Sequence, residues 1–559
     1  MKAGAPSSVL VEAANFTANV AEWKKSSLSS RSSWCWCFWD LLSTNLLYQI
    51  AKLLKKLSQR ELYSLYGALA VFVVSGTILA GVIFVQKTVE IPVPGGEWRE
   101  GVVGQPIFVN PVVSGNDADR DISKLVFANL GTLAEIRQEN NAKEWVVRLK
   151  EDLKWQDKTK ITSDDIIFTI ETILNPDSHS PLYQSFEGAV VSRVSELETR
   201  FTLPAPYVFF ETTLKNLEPI PKHIFGNIPA LNFRLSNYVL EPIASGPYVF
   251  DSYKKNKNGF IEEYRLKVNP DYSPKPYISR FVFKFFTSEA EAIAAYNAGT
   301  IDGLTVSDPE NLDQIRVRHS VERLAAPRYY AVFINQSLAS SLKDLKARAA
   351  LDQAIDKQAL VENIFKGFAV PIKGPTKDAE PTEVEGLIPE GSTFNLTIAD
   401  IPVLRKTAEA IKADWQKIGV ETNIMPLSIT EISESIRKRD YQMILFGNIL
   451  NNPEDFYSFW HSSKRFYPGL NLALYQNSRV DSLIERIRAE VDPGQRLVDV
   501  ARLGDLIASD FPAIFLYSPD YLYIASPKLK GFESASVITP TDRLENIETW
   551  YIKTTRQLK

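Results

Sequence analysis

Residues 145-WVVRLKEDLKWQDKTKITSDDIIFTIETIL-174 combine a strand pattern with a helix pattern that follows it directly. Trp145 to Leu149 is rich in aromatic and β-branched residues, which are typical of a strand. The pattern predicts a helix from Ser163 to Leu174, since Thr162 or Ser163 can cap it before an acidic first turn. This stretch therefore predicts one strand and one helix in succession.

The same succession recurs from residue 97 to the end of the chain, after a linker over residues 86–96 that contains two prolines and two glycines. The other predicted strands are Phe281 to Phe286, Tyr330 to Ile334 and Met443 to Phe446. The other predicted helices are Glu289 to Ala298, Asp344 to Phe365 and Leu404 to Ile418. Repeated alternation of strands and helices predicts an α/β fold.

An apolar run precedes this region. Leu65 to Val85 comprises 21 consecutive uncharged residues, and a helix of that length spans about 30 Å of hydrocarbon. Four basic residues lie within 13 residues before the run, whereas only Lys87 follows it closely. The positive-inside rule therefore predicts that residues 1–64 are cytoplasmic and that the chain after Gln86 is extracytoplasmic. The lipid bilayer is the predicted partner of residues 65–85.

A cleaved signal peptide is the alternative to a permanent anchor. The core of a signal peptide is typically about 7–15 residues, which is shorter than this run. Leu79-Ala80-Gly81 resembles a lipoprotein cleavage box, but Val82 stands where lipid attachment needs a cysteine. We therefore expect an uncleaved signal anchor.

The segment before the membrane divides in two. Residues 1–33 are serine-rich without a sustained apolar period, which predicts a disordered cytoplasmic tail. Residues 34–64 carry tryptophans and leucines on one helical stripe and lysines on the opposite face, which predicts an amphipathic helix on the inner leaflet. Docking of this helix on a cytoplasmic partner remains the alternative.

Composition and motifs exclude several classes of function. After residue 95 the chain has 54 lysine and arginine residues against 62 aspartate and glutamate residues, without basic blocks, so we expect no nucleic acid binding. Both cysteines, Cys35 and Cys37, precede the apolar run, so no disulfide is expected beyond it. The four histidines lie far apart, and no nucleophile elbow, phosphate-binding loop or dinucleotide fingerprint is present. We predict no metal, no cofactor and no enzyme activity.

Four groups of segments, taken in order, resemble the extracellular solute-binding proteins of family 5, the peptide- and nickel-type receptors of ABC importers. They are Trp145-Val146-Val147-Arg148-Leu149 with Ser163-Asp164-Asp165-Ile166; Pro242-Ile243-Ala244-Ser245-Gly246-Pro247-Tyr248 with Asn269-Pro270-Asp271-Tyr272; Ile334-Asn335 with Arg348-Ala349-Ala350-Leu351 and Ala354-Ile355-Asp356; and Tyr475-Gln476-Asn477 with Asp510-Phe511-Pro512. The ordered similarity covers about residues 97–535.

The resemblance implies a two-lobed periplasmic-binding-protein fold of type II, whose lobes close on the ligand about two crossing segments. The implied divisions are lobe 1 over residues 97–330 with an inserted subdomain at about 140–241, lobe 2 over residues 331–512, and a return to lobe 1 over residues 513–559. The crossings are expected near residues 326–335 and 513–521.

The resemblance also implies a ligand-binding strand before Pro453, which reads Leu445-Phe446-Gly447-Asn448-Ile449 here. Peptide-binding relatives have an aspartate at the position of Ile449 that pairs with the α-amino group of the ligand, and an isoleucine cannot replace that ion pair. The nearby asparagine amides suit a neutral or blocked ligand, whereas Asp455 could hold an amine after a loop shift. The predicted ligand-binding residues are Asn110, Tyr183, Tyr330, Asn335, Phe446, Gly447, Asn448, Asn451, Asp455, Trp460 and Tyr475.

These features predict a membrane-anchored, extracytoplasmic receptor of an ABC importer that captures peptides or similar small solutes by lobe closure and delivers them to ABC permease subunits. The alternative is a membrane-tethered ligand sensor or assembly factor, which uses the same lobes but signals through residues 1–64.

Overall fold

The computed structural model describes residues 57–113, 115–533 and 537–558. The predicted tail over residues 1–33, and the predicted interfacial helix over residues 34–64 apart from its last eight residues, lie outside this part. The described residues form two compact units, one from the described part of residues 1–90 and 556–559 and the other from Ile91–Thr555.

The strands of the described residues are numbered in chain order. They are β1 Thr88–Pro92, β2 Glu97–Val103, β3 Ala134–Glu139, β4 Glu144–Leu149, β5 Val190–Arg193, β6 Glu198–Thr202, β7 Tyr248–Lys255, β8 Ile261–Val268, β9 Arg280–Phe286, β10 Gly303–Val306, β11 Ser320–Leu324, β12 Arg328–Ile334, β13 Ala369–Pro371, β14 Thr393–Ala399, β15 Glu421–Leu427, β16 Met443–Ile449, β17 Ala513–Pro519, β18 Tyr521–Ala525 and β19 Thr554–Leu558.

The α-helices of the same residues are numbered in the same way. They are α1 Gln59–Lys87, α2 Asp117–Val126, α3 Leu130–Leu133, α4 Ser163–Leu174, α5 Tyr183–Phe186, α6 Phe210–Lys215, α7 Lys222–Phe225, α8 Glu289–Asn297, α9 Leu345–Gln353, α10 Lys357–Phe365, α11 Pro402–Gln416, α12 Ile429–Lys438, α13 Tyr457–Trp460, α14 Ser478–Ala489 and α15 Pro493–Ser509.

Helix α1 contains the whole predicted span from Leu65 to Val85. It begins with a capping box, in which the backbone N–H of Ser58 donates to Glu61 Oε2 at 2.8 Å. None of its side chains is buried. Within the described part of the chain it is the one helix that is long and apolar enough to cross a membrane.

The first lobe is built on a seven-stranded sheet with the order β11-β18-β10-β2-β9-β8-β7. A four-stranded sheet, β3-β4-β6-β5, forms the inserted subdomain and shares one hydrophobic core with this lobe. The subdomain sheet begins at Ala134, earlier than the predicted residue 140, because β3 pairs along its whole length with β4. Helix α4 has the predicted bounds, and Thr162 caps it with a capping box to Asp165.

The second lobe is built on a six-stranded sheet with the order β13-β17-β12-β16-β14-β15. Three neighbouring strands, β16, β14 and β15, run parallel, whereas β12 and β17 are antiparallel to their neighbours. This lobe has its own core, which includes Trp415, Trp460 and Phe515. The predicted single helix over residues 344–365 is two helices, because the side chain of Asp356 accepts from Ala359 N and starts a new helix.

The chain crosses between the two sheets at two adjacent points, residues 325–327 and Asp520. The structure places β17 in the second sheet, where the predicted division at residue 512 put it in lobe 1, because its backbone pairs with β12 and β13. Arg328 holds the two crossings together: its Nε donates to Pro519 O at 2.8 Å, its Nη2 donates to Asp520 O at 2.9 Å, and its guanidinium lies 3.6 Å from the ring centre of Tyr521.

Candidate functional site

A cavity of about 290 Å³ lies at the carboxyl ends of the three parallel strands of the second lobe. Strand β14 ends at Ala399, β15 ends at Leu427 and β16 ends at Ile449. In open α/β sheets the crevice beyond these ends is where ligands bind, because the chain leaves neighbouring strands in different directions there. We call this cavity the apolar chamber.

Each of the three strand ends contributes apolar side chains to the apolar chamber. Its wall consists of Arg328, Tyr330, Ala399, Ile401, Leu404, Ile429, Ile432, Ser433, Ile436, Phe446, Gly447, Asn448 and Ile449. Two of the isoleucines stand at helix starts: Ile401 precedes Pro402 of α11, and Ile429 follows the capping residue Ser428 of α12. Among the described residues of this wall, only Arg328 is charged.

One edge of the apolar chamber is backbone. Strand β16 pairs with β12 along its whole length, but its pairing with β14 ends where Ile398 lies opposite Leu445. Residues 446–449 therefore have a strand neighbour on one side only, and they line the chamber. Backbone N–H and C=O groups on an open strand side can pair with an extended ligand irrespective of its side chains.

Gly447 on this strand accommodates the ring of Tyr330. A Cβ added at Gly447 would lie 2.9 Å from Tyr330 Cε1 and Cζ, which is closer than carbon atoms approach. The Tyr330 ring also stacks on Tyr517, with 5.4 Å between the ring centres. The glycine therefore fixes the shape of the chamber at the hinge side.

A second cavity, of about 410 Å³, lies between the inserted subdomain and the second lobe. We call it the polar chamber, because charged and amide side chains line it. They are Gln184, Glu187, Asn451, Asn452, Asp455, Lys464 and Arg488. Ile449 lines both chambers, so its side chain marks the boundary between them.

The two lobes contact each other at the wall of the polar chamber. The Tyr207 hydroxyl of the subdomain donates to Asp455 Oδ2 at 2.8 Å, and burial raises the pKa of Tyr207, so the donor stays protonated. The Arg488 guanidinium lies between two rings, 4.2 Å from the centre of Tyr207 and 4.3 Å from that of Tyr457. Phe209 packs into the core of the second lobe.

The structure brings six of the predicted site residues to the two chambers. Tyr330, Phe446, Gly447 and Asn448 line the apolar chamber, and Asn451 and Asp455 line the polar chamber. The side-chain amide of Asn448 is already engaged, since its Nδ2 donates to the Tyr329 hydroxyl at 2.9 Å. Tyr183 is exposed next to Gln184 of the polar chamber.

Four predicted site residues pack inside a lobe and do not line either chamber. Trp460 Nε1 donates to the Tyr329 hydroxyl at 2.9 Å, and the Tyr475 hydroxyl donates to Asp510 Oδ2 at 2.5 Å. Asn335 Nδ2 donates to Arg439 O at 3.0 Å. Asn110 is fully buried, and its Oδ1 accepts from Val112 N.

Sequence reasoning did not single out Ile401, Ile429, Tyr207 or Arg488. A sequence pattern could have pointed to the two isoleucines, because each stands where a strand is followed by a helix: Ile401 lies between β14 and α11, and Ile429 lies after β15 at the start of α12. Tyr207 and Arg488 meet across the lobes from positions 281 residues apart, and nothing in the local sequence marks that contact. Within the described residues no group of three histidine, cysteine, aspartate or glutamate side chains is arranged to hold a metal ion.

Comparison with known proteins identifies the family. The sequence profile described as "Bacterial extracellular solute-binding proteins, family 5 Middle" matches residues 131–467. The oligopeptide-binding protein AppA of Bacillus subtilis (strain 168) is 24% identical over 519 residues, which cover 84% of this chain and 93% of AppA. The dipeptide-binding protein of Escherichia coli (strain K12) is 22% identical over 518 residues, which cover 82% of this chain and 96% of that protein.

Solved structures share the fold. The structure of AppA from Bacillus subtilis in complex with a nonapeptide is 23% identical in sequence, covers 83% of this chain and 100% of its own, and has a TM-score of 0.66. The ABC transporter substrate-binding protein CtaP from Listeria monocytogenes is 22% identical in sequence. It covers 82% of this chain and 99% of its own, and the TM-score is 0.71. NikZ from Campylobacter jejuni, in complex with Ni(L-His), is 22% identical in sequence. It covers 81% of this chain and 99% of its own, and the TM-score is 0.63.

The two-lobed α/β architecture and the profile match, which extends over more than half of the chain, agree with each other and with the sequence motifs. This chain belongs to the bacterial extracellular solute-binding proteins of family 5.

Proposed function

We propose that this protein is the membrane-anchored receptor of an ABC importer, and that it captures peptides or similar small solutes outside the cytoplasm between its two lobes. The observation that carries this proposal is the open backbone edge at residues 446–449, which lines the apolar chamber beside the hinge. An extended peptide can hydrogen-bond to such an edge whatever its sequence. The names of relatives that bind oligopeptides and dipeptides support the same solute class.

Closure of the lobes is the proposed mechanism of capture. The Tyr207–Asp455 contact and the stacked Arg488 join the lobes on one side of the cleft, and Arg328 ties the two crossing segments on the other. Helix α1 is the proposed anchor, which keeps the receptor near the permease subunits and raises its local concentration there. The protein itself catalyses no step in this scheme, and the relatives are named as binding proteins.

A distance measurement on the full-length chain tests both capture and closure. The native thiols Cys35 and Cys37 are replaced by serine, and spin labels are placed at V190C in the subdomain and L387C in the second lobe, both exposed positions. Addition of a peptide mixture is expected to shorten and narrow the distance distribution between the two labels. An unchanged distribution, together with no calorimetric binding of any peptide, would refute the proposal.

A truncation separates the importer from the sensor. Removal of residues 1–50 leaves the lysines that orient the anchor in place, so the remaining chain is expected to insert in the same direction. Peptide-dependent growth of the host strain should then persist if the protein serves import. Deletion of the whole chain is the reference: import predicts that peptide-dependent growth is lost in the deletion strain and kept in the truncated strain. If growth persists in the deletion strain, and both strains lose a peptide-dependent transcriptional response, the sensor function is the correct one.

A further inference from the structure

The wall of the apolar chamber is mostly apolar, and this composition favours an apolar group as its occupant. Three of its wall residues are exposed isoleucines: Ile401 is 39% exposed, Ile429 is 64% exposed and Ile449 is 43% exposed. They come from three separate segments of the second lobe and converge on one cavity. Water that covers these side chains is released when an apolar group replaces it, which favours an apolar occupant.

The charges around the apolar chamber disfavour a cationic occupant. No acidic side chain belongs to its wall in the described part of the protein, and its one charged member is Arg328. Three acids are sequence neighbours of wall residues, and all are engaged: Asp400 pairs with Arg405 at 2.5 Å, Glu431 accepts from Ser428 N at 2.9 Å, and Glu434 pairs with Arg437 at 2.6 Å. A lysine side chain in the chamber would lose water without gaining a partner.

The polar chamber has two carboxylates, Glu187 on the inserted subdomain and Asp455 on the second lobe, and the one on the same lobe as Ile449 is already engaged. Asp455 already accepts hydrogen bonds on both oxygens, from the Tyr207 hydroxyl and from Tyr457 N, and Arg488 Nε lies 3.6 Å from Oδ2. An ammonium group would have to displace these contacts. The polar chamber also provides room for further residues of a ligand on the other side of Ile449.

We infer that the apolar chamber takes one large apolar side chain of an extended peptide, whose backbone pairs with residues 446–449 and whose α-amino group is not held by an ion pair. This inference rests on the proposed function and adds to it the class of peptide. The backbone edge supplies affinity common to all peptides, and the isoleucine wall supplies the selection.

A defined peptide series tests the inference on the full-length chain in lipid nanodiscs. The probes are Ala-Ala-X-Ala-Ala peptides with X as Leu, Phe, Ala or Lys, each with a free and with an acetylated amino terminus, and binding is measured by calorimetry. We expect Leu and Phe to bind about 10-fold more tightly than Ala, because burial of a large apolar side chain accounts for at least that factor. Lys should bind more weakly than Ala, and acetylation should change the affinity less than about threefold.

Substitution of Ile429, the most exposed of the three isoleucines, tests the same inference from the side of the protein. I429K places a cation at an exposed position of the wall, and it is expected to weaken the Leu peptide about 10-fold and to strengthen a peptide with X as Glu. V498K is the control, since Val498 is 61% exposed on α15 and lines neither chamber. It should leave all affinities unchanged.

The possible results are distinguishable. If peptides bind with equal affinity for all X, or if I429K behaves as V498K does, the selection by the apolar chamber is overturned while peptide capture stands. If acetylation abolishes binding, the inference that no ion pair holds the α-amino group of the peptide is overturned. If no peptide of either kind binds and the lobes do not move, the proposed function fails together with this inference.

Discussion

The two chambers on either side of Ile449 differ in how they are built. The apolar chamber is formed by the second lobe and the hinge residue Arg328, so its wall exists before the lobes meet. The polar chamber has one wall from the inserted subdomain and one from the second lobe, which the Tyr207–Asp455 hydrogen bond joins, so it needs both parts in place. From this difference we propose a division of roles, in which the first chamber selects the solute and the second forms on closure.

The largest effect is expected from G447V, which acts on the preformed chamber. The added side chain would collide with the Tyr330 ring, which is stacked on Tyr517 and lines the chamber, so we expect displacement of the ring to change the shape of the chamber. We expect affinity for apolar peptides to fall about 100-fold, with a loss of about 1–3 kcal/mol in the free energy of unfolding from overpacking. Calorimetry and urea denaturation measure the two effects.

G115V serves as the control for G447V, since a Cβ at Gly115 meets no atom within 4 Å. It should bind peptides as the unsubstituted protein does. Wild-type affinity in G447V would mean that the ligand does not occupy the space beside Tyr330, and the assignment of the apolar chamber as the selecting site would then be wrong.

The next largest effect is a gain of recognition at the boundary between the chambers. I449D places a carboxylate at a half-exposed position at the end of β16. A charge-assisted hydrogen bond to an α-amino group contributes about 1.5–3 kcal/mol, so free-amine peptides should bind at least about 10-fold more tightly than their acetylated forms in this variant. I449N, which has the same shape without the charge, should show no such preference. Equal affinities in I449D would show that ligand amines do not reach residue 449.

Local signals in the sequence predicted individual helices and strands in both lobes. Periodicity and capping located α4 with its observed bounds, and the strand prediction from Met443 matches the start of β16. These signals are local, because a capping side chain and an apolar period act within a few residues of each other. The division at residue 512 differs from the structure because β17 belongs to a sheet that its own sequence does not specify.

The site predictions show where residue type stops being informative. Trp460 and Tyr475 have the composition of ligand-contacting aromatics, yet each hydroxyl or indole N–H has a partner inside the second lobe. A tyrosine or tryptophan that packs in a core and one that contacts a ligand both use an apolar ring with one polar atom, so the residue type alone does not separate the two roles. Ile401 and Ile429 line the apolar chamber but are not among the predicted site residues, because a single exposed isoleucine is ordinary and only several that converge form a wall.

A smaller effect is expected from Y207F, which acts on the chamber formed by closure. The substitution keeps the ring under Arg488 but removes the hydrogen bond to Asp455, which leaves a carboxylate oxygen without its donor. The net contribution of such a bond at this partly exposed position is about 1–1.5 kcal/mol, so affinity for peptides long enough to reach both chambers should fall about 5- to 12-fold. Short peptides confined to the apolar chamber should bind as before, and calorimetry on peptides of three and nine residues compares the two.

The spin-label distance provides the second measurement for Y207F. The fraction of molecules with the short interlobe distance should decrease in the absence of ligand. An equal loss of affinity for short and long peptides would indicate that closure affects both chambers alike, which contradicts the proposed division of roles.

The smallest effect is expected from K406Q, which removes a second contact between the lobes. Lys406 Nζ lies 2.7 Å from Glu310 Oε1 and 3.8 Å from Asp308 Oδ2, and the hydrogen bond to Glu310 raises the pKa of Lys406, so the lysine stays charged at neutral pH. All three side chains are about 30–50% exposed, and exposed ion pairs contribute about 0–1 kcal/mol. Affinity for long peptides should fall by less than about fivefold at low salt. The change should disappear at high salt, where exposed charges are screened, whereas the loss in Y207F should persist because the Tyr207 hydroxyl is uncharged and partly buried. A salt titration of both variants therefore separates closure held by the Tyr207 contact from closure held by surface charge.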